Sequence, residues 1–192
     1  MDKKIGLYFG SFNPIHIGHL AIANYTIEFS DLDKIWFVIT PHNPLKNKAS
    51  LLANEHRYYM VNLAVEDDAR FFASNIEFHL PQPNYTINTL TYLEERYPDK
   101  TFVLIMGADN LRSLHKWKNY EVILERYEII VYPRPNNPII TIPKARITVV
   151  DAPLMEISAS FIRNAIAKKK DIRYFLPEKV YKHIEEMHFY ES

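Results

Sequence analysis

The chain has 192 residues, and its 23 Lys and Arg balance its 23 Asp and Glu, which argues against a nucleic acid partner. Cysteine is absent from the sequence, which excludes disulfides and cysteine nucleophiles and is consistent with a reducing cytosol. With 47% apolar residues, residues 1–192 are expected to form a single globular domain with a well-packed core.

The N-terminal stretch superficially resembles a secretory signal. Lys3 and Lys4 are followed by residues without charge as far as Ile27. Its middle, however, is not continuously apolar, as a signal peptide or a membrane span requires. The interrupting residues are Ser11, Asn13, Pro14, His16 and His19. We therefore expect a cytoplasmic protein that does not contact a membrane.

The first predicted elements are a short apolar strand at residues 5–9, a polar turn and a helix at residues 21–29. A turn at this position brings backbone N–H groups and the positive end of a helix to one point, which favours an anion, most naturally a phosphate. Only four glycines occur in the chain, and Gly10 and Gly18 bracket this turn. Glycine permits close approach of a ligand, although plain turns use it too.

Two histidines stand at the start of the same helix. His16 and His19 are three residues apart and can share one helix face. They could contact phosphate, form a structural pair or bind a metal. Zinc usually needs three or four ligands at recognisable spacing, and neither Cys nor a third ligand lies nearby. The turn is neither a dinucleotide fingerprint nor a P-loop, because both glycine patterns are absent.

Further along the chain, apolar runs alternate with helical patterns. Strands are predicted at residues 35–40, 71–75, 101–106, 129–132 and 147–150, and helices at 51–65, 85–97, 119–125, 158–168 and 177–187, with a short helical stretch leading to Trp117. This alternation predicts an α/β fold with a parallel sheet. We expect a Rossmann-like, doubly wound sheet with helices on both faces and a small C-terminal helical part. Ligands of such sheets bind outside the carboxyl ends of the strands. Polar or glycine residues follow those ends at Gly10, Lys46, Gly107, Asp109 and Arg134.

Two segments resemble the signatures of one enzyme family. Residues 10–19, Gly-Ser-Phe-Asn-Pro-Ile-His-Ile-Gly-His, resemble the H/T-x-G-H signature of the nucleotidyltransferases that form a dinucleotide from a triphosphate and a phosphate monoester. Residues 157–163 resemble the I-S-x-x-x-I-R partner signature, which also lies far downstream in that family. Taken alone, Ser158 would be a helix N-cap and Arg163 a surface arginine. The two signatures in this order favour the family.

Two more segments resemble the bacterial nicotinate-nucleotide adenylyltransferases. Residues 107–117 are similar to their G-x-D…W segment, and residues 84–90 to their Y-T-x-x-T-L segment. Without this resemblance, Trp117 would more often be core packing than a stacking platform. The chain departs from the pattern at Leu45, where many relatives have His, and at Lys118, where Tyr is frequent. The resemblance covers residues 5–163.

The resemblance implies transfer of the adenylyl group of ATP to nicotinate mononucleotide, which gives nicotinate adenine dinucleotide and pyrophosphate in NAD biosynthesis. The mononucleotide phosphate attacks the α-phosphorus directly, so catalysis consists of positioning and charge stabilisation. Mg²⁺ is expected to accompany ATP, held mainly by phosphates and not by a protein metal site. Nicotinamide-mononucleotide adenylyltransferase, phosphopantetheine adenylyltransferase and an inactive nucleotide-sensing module stay open as alternatives, as does a homo-oligomer.

The resemblance also implies the site residues. The expected catalytic residues are His16, His19 and Arg163, with His19 favoured for stabilising the transition state. The expected ATP-binding residues are Gly10, Ser11, Phe12, His16, Gly18, His19, Lys46, Gly107, Asp109, Ser158 and Arg163. Ser158 and Arg163 would hold the β,γ-phosphates, with the helices from residue 158 onward completing the ATP site. The expected nicotinate mononucleotide residues are Thr86, Trp117, Lys118 and Arg134, with Trp117 stacking on the pyridine ring.

Overall fold

A parallel sheet organises the computed structural model, which describes residues 3–41 and 51–191. The described residues form one six-stranded sheet in the order β3-β2-β1-β4-β5-β6, with every neighbouring pair parallel. The strands are β1 (Lys4–Gly10), β2 (Lys34–Ile39), β3 (Phe71–Ser74), β4 (Thr101–Gly107), β5 (Glu128–Tyr132) and β6 (Ile147–Val149). The predicted α/β fold with a doubly wound parallel sheet is confirmed.

Seven α-helices connect or follow these strands within the described ranges. They are α1 (Ile17–Glu28), α2 (Asn54–Val65), α3 (Thr86–Arg96), α4 (Ala108–Ser113), α5 (Tyr120–Arg126), α6 (Ala159–Ala167) and α7 (Glu178–Glu186). Short 3-10 helices lie at Ile76–His79, Leu114–Lys116 and Arg173–Phe175. The first and the third of these were not predicted from the sequence.

Helices cover both faces of the sheet because successive strand residues point to opposite sides. Leu7 belongs to a buried cluster that includes Leu90 of α3. The next residue, Tyr8, belongs to the cluster that includes Ile22 of α1 and Val180 of α7. Strands buried on both faces explain why the sequence shows nearly continuous apolar runs.

The strand order reverses at β1, because β2 and β3 lie on one side of it and β4, β5 and β6 on the other. A crevice opens at the carboxyl ends of strands at such a switch point. The predicted start of α1 at residue 21 was four residues too late. The helix begins at Ile17, directly after His16 in an extended conformation, so both histidines belong to the helix start.

Candidate active site

A cleft of about 440 Å³ lies at the switch point of the sheet. It brings together nine residues that were predicted from the sequence. They are Gly10, Ser11, Phe12, His16, His19, Asp109, Arg134, Ser158 and Arg163. A second groove of about 320 Å³ lies along α3, but its lining contains neither a basic side chain nor a histidine, so it is poorly suited to a polyphosphate.

The two histidines form a stacked pair at the N-terminus of α1. Their ring centroids are 3.7 Å apart, with 23° between the planes. The backbone N–H of His16 donates to Nδ1 of His19 at 3.3 Å. Because Nδ1 accepts this bond, the proton of neutral His19 resides on Nε2. His19 therefore brings an N–H donor to the cleft that it lines.

His16 is held as a neutral imidazole. Its side chain is buried, and Nδ1 has no hydrogen-bond partner. Burial, and secondly the positive charge of Arg134, lower the pKa of His16 from 6.5 to about 4. A Cβ atom on Gly18 would lie 3.1 Å from both Cε1 and Nδ1 of His16. Gly18 thus provides room for the His16 ring, and it does not line the cleft.

Gly10 and Phe12 shape the turn between β1 and α1. Phe12 has a left-handed backbone with φ of 44°, and its ring is buried. The ring covers Gly10 so closely that a Cβ atom there would lie 2.8 Å from Cζ. The ring also makes an edge contact with His19, at 5.1 Å between centroids. Gly10 is therefore required by the packing that positions His19.

The start of α6 meets the turn between β1 and α1, hereafter the first turn, across the cleft. Ser158 caps the helix, because its Oγ accepts from the Phe161 N–H at 3.1 Å. The Nη1 of Arg163 donates to the Asn13 carbonyl at 2.8 Å, and Nη2 donates to Ser160 Oγ at 3.3 Å. Arg163 is therefore not an ordinary surface arginine, since its guanidinium joins two segments 150 residues apart.

On the other side of the cleft, the segments at the carboxyl ends of β4 and β5 contribute a linked polar group. The Nε of Arg134 is 3.8 Å from Asp109 Oδ1, and Nη2 donates to the Tyr132 hydroxyl at 3.2 Å. The Tyr132 hydroxyl is in turn 3.3 Å from that of Tyr8. A Cβ atom on Gly107 would clash with Asp109 Oδ1 and the stem of Arg134. Gly107 therefore makes room for this pair and is not itself part of the cleft lining.

The residues expected to bind nicotinate mononucleotide, Arg134 excepted, lie outside this cleft lining. Thr86 is the first residue of α3. Trp117 is partly buried and packs against the core cluster that includes Leu90 of α3. The Lys118 ammonium lies 4.6 Å from the ring centroid of Tyr85, the N-cap of α3. A cation and a helix N-terminus thus lie side by side. Lys46, also expected to bind ATP, falls outside the described residues.

Sequence reasoning missed a buried arginine below the first turn. Arg57 is completely buried. It donates to the carbonyls of Leu52, Ser11, Thr40 and Pro41 and to the side chain of Asn54. These bonds tie the ends of β1 and β2 to the start of α2. Helical spacing could have predicted its burial, because Arg57 shares a helix face with the buried residues Met60, Val61 and Val65.

Two negative observations concern the described ranges, residues 3–41 and 51–191. No three His, Cys, Asp or Glu side chains there converge in a way that could hold a metal ion. In the same ranges, no helix combines the length and the apolar composition that a membrane crossing needs.

Comparisons with known proteins identify the family. Residues 7–165 match the model of the cytidylyltransferase-like family. A protein of Flavobacterium psychrophilum named "Probable nicotinate-nucleotide adenylyltransferase" is 56% identical over 98% of this chain and 100% of its own length. A protein of the same name from Bacteroides fragilis is 50% identical over 94% of this chain and 90% of its own.

Solved structures share the fold. The nicotinic acid mononucleotide adenylyltransferase of Plasmodium falciparum, complexed with NaAD, superposes with a TM-score of 0.84 at 22% identity, covering 98% of both chains. The same enzyme complexed with APC superposes with a TM-score of 0.82 over the same shares of the chains. With the curated relatives aligned over nearly their whole length, this chain belongs to the cytidylyltransferase-like family and, within it, to the nicotinate-nucleotide adenylyltransferases.

Proposed function

We propose that this protein transfers the adenylyl group of ATP to the phosphate of nicotinate mononucleotide and releases pyrophosphate. The observation that carries the proposal is the meeting of the histidine pair of α1 with the start of α6 in one cleft. Arg163 spans the two segments by its 2.8 Å bond to the Asn13 carbonyl. Donors and positive helix ends from both sides then face the same volume, which suits a polyphosphate.

The reaction needs no protein nucleophile. A phosphate oxygen of the mononucleotide forms a bond to the α-phosphorus of ATP, and the bond from that phosphorus to the bridging oxygen of pyrophosphate breaks. Negative charge increases on the bridging oxygen and spreads over the α-phosphoryl oxygens. Catalysis then depends on fixed donors that face this charge. The Nε2–H of His19 and the guanidinium of Arg163 are the side-chain donors best suited to it.

His16 acts as a neutral group in this mechanism. With its pKa lowered to about 4, it carries no charge at neutral pH and contributes hydrogen bonding and ring stacking. Its stacked ring holds His19 at 3.7 Å, and its backbone N–H selects the His19 tautomer. His16 therefore prepares His19 as a donor even before ATP binds.

ATP binds as its magnesium chelate in this proposal. Mg²⁺ favours phosphate oxygens and water over an all-protein cage. When bound, the ion supplies charge neutralisation on the phosphates. The protein's own contribution is the positive charge of Arg163 and Arg134, together with Lys46 from outside the described residues.

Asp109 and Arg134 belong to the nucleoside side of the cleft. The exposed carboxylate of Asp109 can accept hydrogen bonds from the ribose hydroxyls of ATP. Arg134 lies beside it, with its Nε 3.8 Å from Asp109 Oδ1, and can reach the phosphate of the mononucleotide. The position of Tyr132 behind Arg134 holds the guanidinium in place for that contact.

The acceptor pocket is proposed at the N-terminus of α3. The Thr86 N–H belongs to the first turn of this helix, where backbone donors lack helical partners. The Lys118 ammonium lies next to this turn, over the Tyr85 ring. A carboxylate can accept bonds with both oxygens there, whereas an amide would turn its NH₂ group towards donors. Trp117 offers its indole to the pyridine ring.

The test is pyrophosphate release by the purified full chain with Mg-ATP and three acceptors: nicotinate mononucleotide, nicotinamide mononucleotide and phosphopantetheine. One buried polar group left unpaired costs about 1–3 kcal/mol, so kcat/KM should favour the nicotinate form about tens- to hundreds-fold. Equal efficiency for the amide would contradict the acceptor assignment. ATP binding without turnover of any acceptor would identify a nucleotide-sensing module instead.

A pair of lysine variants locates the acceptor pocket. Lys118→Met should lower the preference for the nicotinate form, because it removes the cation beside the α3 N-terminus. Lys116→Met is the matched control, since Lys116 is an exposed lysine two residues away. An unchanged preference in Lys118→Met would restrict recognition of the carboxylate to backbone donors.

A further inference from the structure

The segment after α7 returns to the first turn of the chain. The Tyr190 hydroxyl donates to Asn13 Oδ1 at 2.8 Å, across 177 residues of sequence. Phe189 anchors the same segment, with ring centroids 4.8 Å from His56 of α2 and 5.7 Å from His183 of α7. His188 and Tyr190 both have left-handed backbones, with φ of 54° and 67°. A bulky residue rarely adopts this conformation unless its surroundings hold it there.

Asn13 is a junction of three segments. Its Oδ1 accepts from the Tyr190 hydroxyl and, at 3.3 Å, from the Leu52 N–H at the approach to α2. Its carbonyl accepts from Nη1 of Arg163 at 2.8 Å. Asn13 is only 3% exposed, so water has little access to replace these partners. One residue thus connects the C-terminal segment with the arginine that spans the cleft.

We propose that Tyr190 is a positioning residue for ATP: it orients Asn13, and through the Asn13 carbonyl it sets the place of Arg163. The proposal rests on the proposed function of the cleft. Without the hydroxyl, Asn13 Oδ1 keeps only the longer of these two hydrogen bonds, the one from the Leu52 N–H. The side chain of Asn13, and with it the first turn, is then less firmly fixed. Arg163 then meets the ATP phosphates from a less defined position. Nicotinate mononucleotide lies away from this junction and is not affected.

The chemistry of the phenol supports the direction of the hydrogen bond. Burial raises the pKa of Tyr190 well above its usual value, although the nearby charges of Arg163 and Arg57 oppose the shift. The hydroxyl therefore keeps its proton at neutral pH and donates it to Asn13. An ionised phenol could not donate in this way.

Tyr190→Phe in the full chain tests the proposal, because it removes only the hydroxyl. An ordinary hydrogen bond corresponds to about a two- to tenfold change in affinity. The KM and the calorimetric Kd for Mg-ATP should rise by that factor, with the KM for nicotinate mononucleotide unchanged. Tyr181→Phe is the matched control, since it removes a hydroxyl that donates to Glu185 on α7. It should leave both KM values at the wild-type level.

A double-mutant cycle tests the route through Asn13. If Tyr190 acts through that side chain, adding Tyr190→Phe to Asn13→Ala should not raise the ATP Kd further. An unchanged ATP Kd in Tyr190→Phe would overturn the proposal. So would an equal rise in both substrate KM values together with a lowered melting temperature, which indicates a merely structural role. Failure of the proposed function would appear separately, as a wild-type protein that releases no pyrophosphate.

Discussion

Gly10→Ala is the substitution whose effect follows most directly from the geometry of the cleft. Glycine is not required here by backbone conformation, because no glycine of the described ranges has a positive φ. The obstacle is the Phe12 ring, since a Cβ atom on residue 10 would lie 2.8 Å from Cζ and 3.0 Å from both Cε atoms. The ring presents its edge to Gly10 and would have to move away.

The required shift is about 0.7 Å or more, since carbon atoms pack comfortably at roughly 3.5–4.0 Å. Phe12 cannot move freely, because its ring also contacts Tyr8 and Phe37, at 5.8 and 5.6 Å between centroids. Overpacking of this kind costs about 1–3 kcal/mol. Replacing glycine in a compatible conformation regains about 0.4–1 kcal/mol. The net destabilisation therefore centres on about 1.3 kcal/mol, which lowers the Tm by roughly 3–5 °C for a chain of this size.

The same shift should reach the chemistry, because the Phe12 ring contacts His19. A displacement approaching 1 Å at a catalytic group can lower the rate about a hundredfold. Thermal unfolding and steady-state pyrophosphate release measure the two effects. Gly6→Ala in the same strand is the control. Its Cβ atom would lie 2.7 Å from the terminal methyl groups of Ile105 and Leu32, neither of which contacts His19, so stability should fall with kcat retained. A Gly10→Ala protein with wild-type kcat would refute the reasoning.

Three further predictions concern the cleft. His19→Ala should lower kcat by about two orders of magnitude in a folded protein, as removal of a charge-stabilising donor does; near-normal kcat would exclude the role. Arg163→Lys should raise the ATP KM about tenfold with mononucleotide binding retained, because a point charge replaces a fork that already makes two bonds. Burial, then the charge of Arg134, lower the His16 pKa from 6.5 to about 4. As the pH is lowered, the unfolded chain therefore binds this proton before the folded chain does. The free energy of unfolding should fall by up to about 1.4 kcal/mol for each pH unit below 6.5, until the pH reaches about 4. His16→Gln should lack this slope in urea titrations, and an identical pH profile would contradict the shift.

The sequence predicted the sheet and much of the cleft for the same physical reason. Apolar runs locate the parallel strands, and the carboxyl ends of such strands meet along one edge, so residues that follow them converge. This is why Gly10, Asp109 and Arg134 could be assigned to one site although the chain separates them widely. The boundary of α1 was less predictable, because the extended backbone of His16 and its N–H bond to His19 decide where the helix starts.

Contacts between distant segments could not be predicted. Periodicity shows that Arg57 lies on the buried face of α2, but not that its donors find the carbonyl of Ser11 at 2.6 Å. Similarly, Tyr190 carries no local pattern that indicates Asn13 as its partner. Lys118 departs from the family pattern, and the sequence did not indicate what its side chain contacts. Only the folded chain places its ammonium over Tyr85. Such partners depend on how loops close over the sheet, which hydrophobic spacing does not encode.

The missed residues share one property that follows from the chemistry. A reaction without a protein nucleophile depends on how accurately its donors are held. Arg57 fixes the Ser11 carbonyl, and Tyr190 fixes the side chain of the nearby Asn13. Arg57 also keeps its positive charge at neutral pH, since burial lowers its pKa only to about 10. In the proposed mechanism, a buried cation that donates to the first turn favours phosphates bound in the cleft. We therefore propose that side chains outside both signature motifs, which need not touch ATP, help to form the phosphate site.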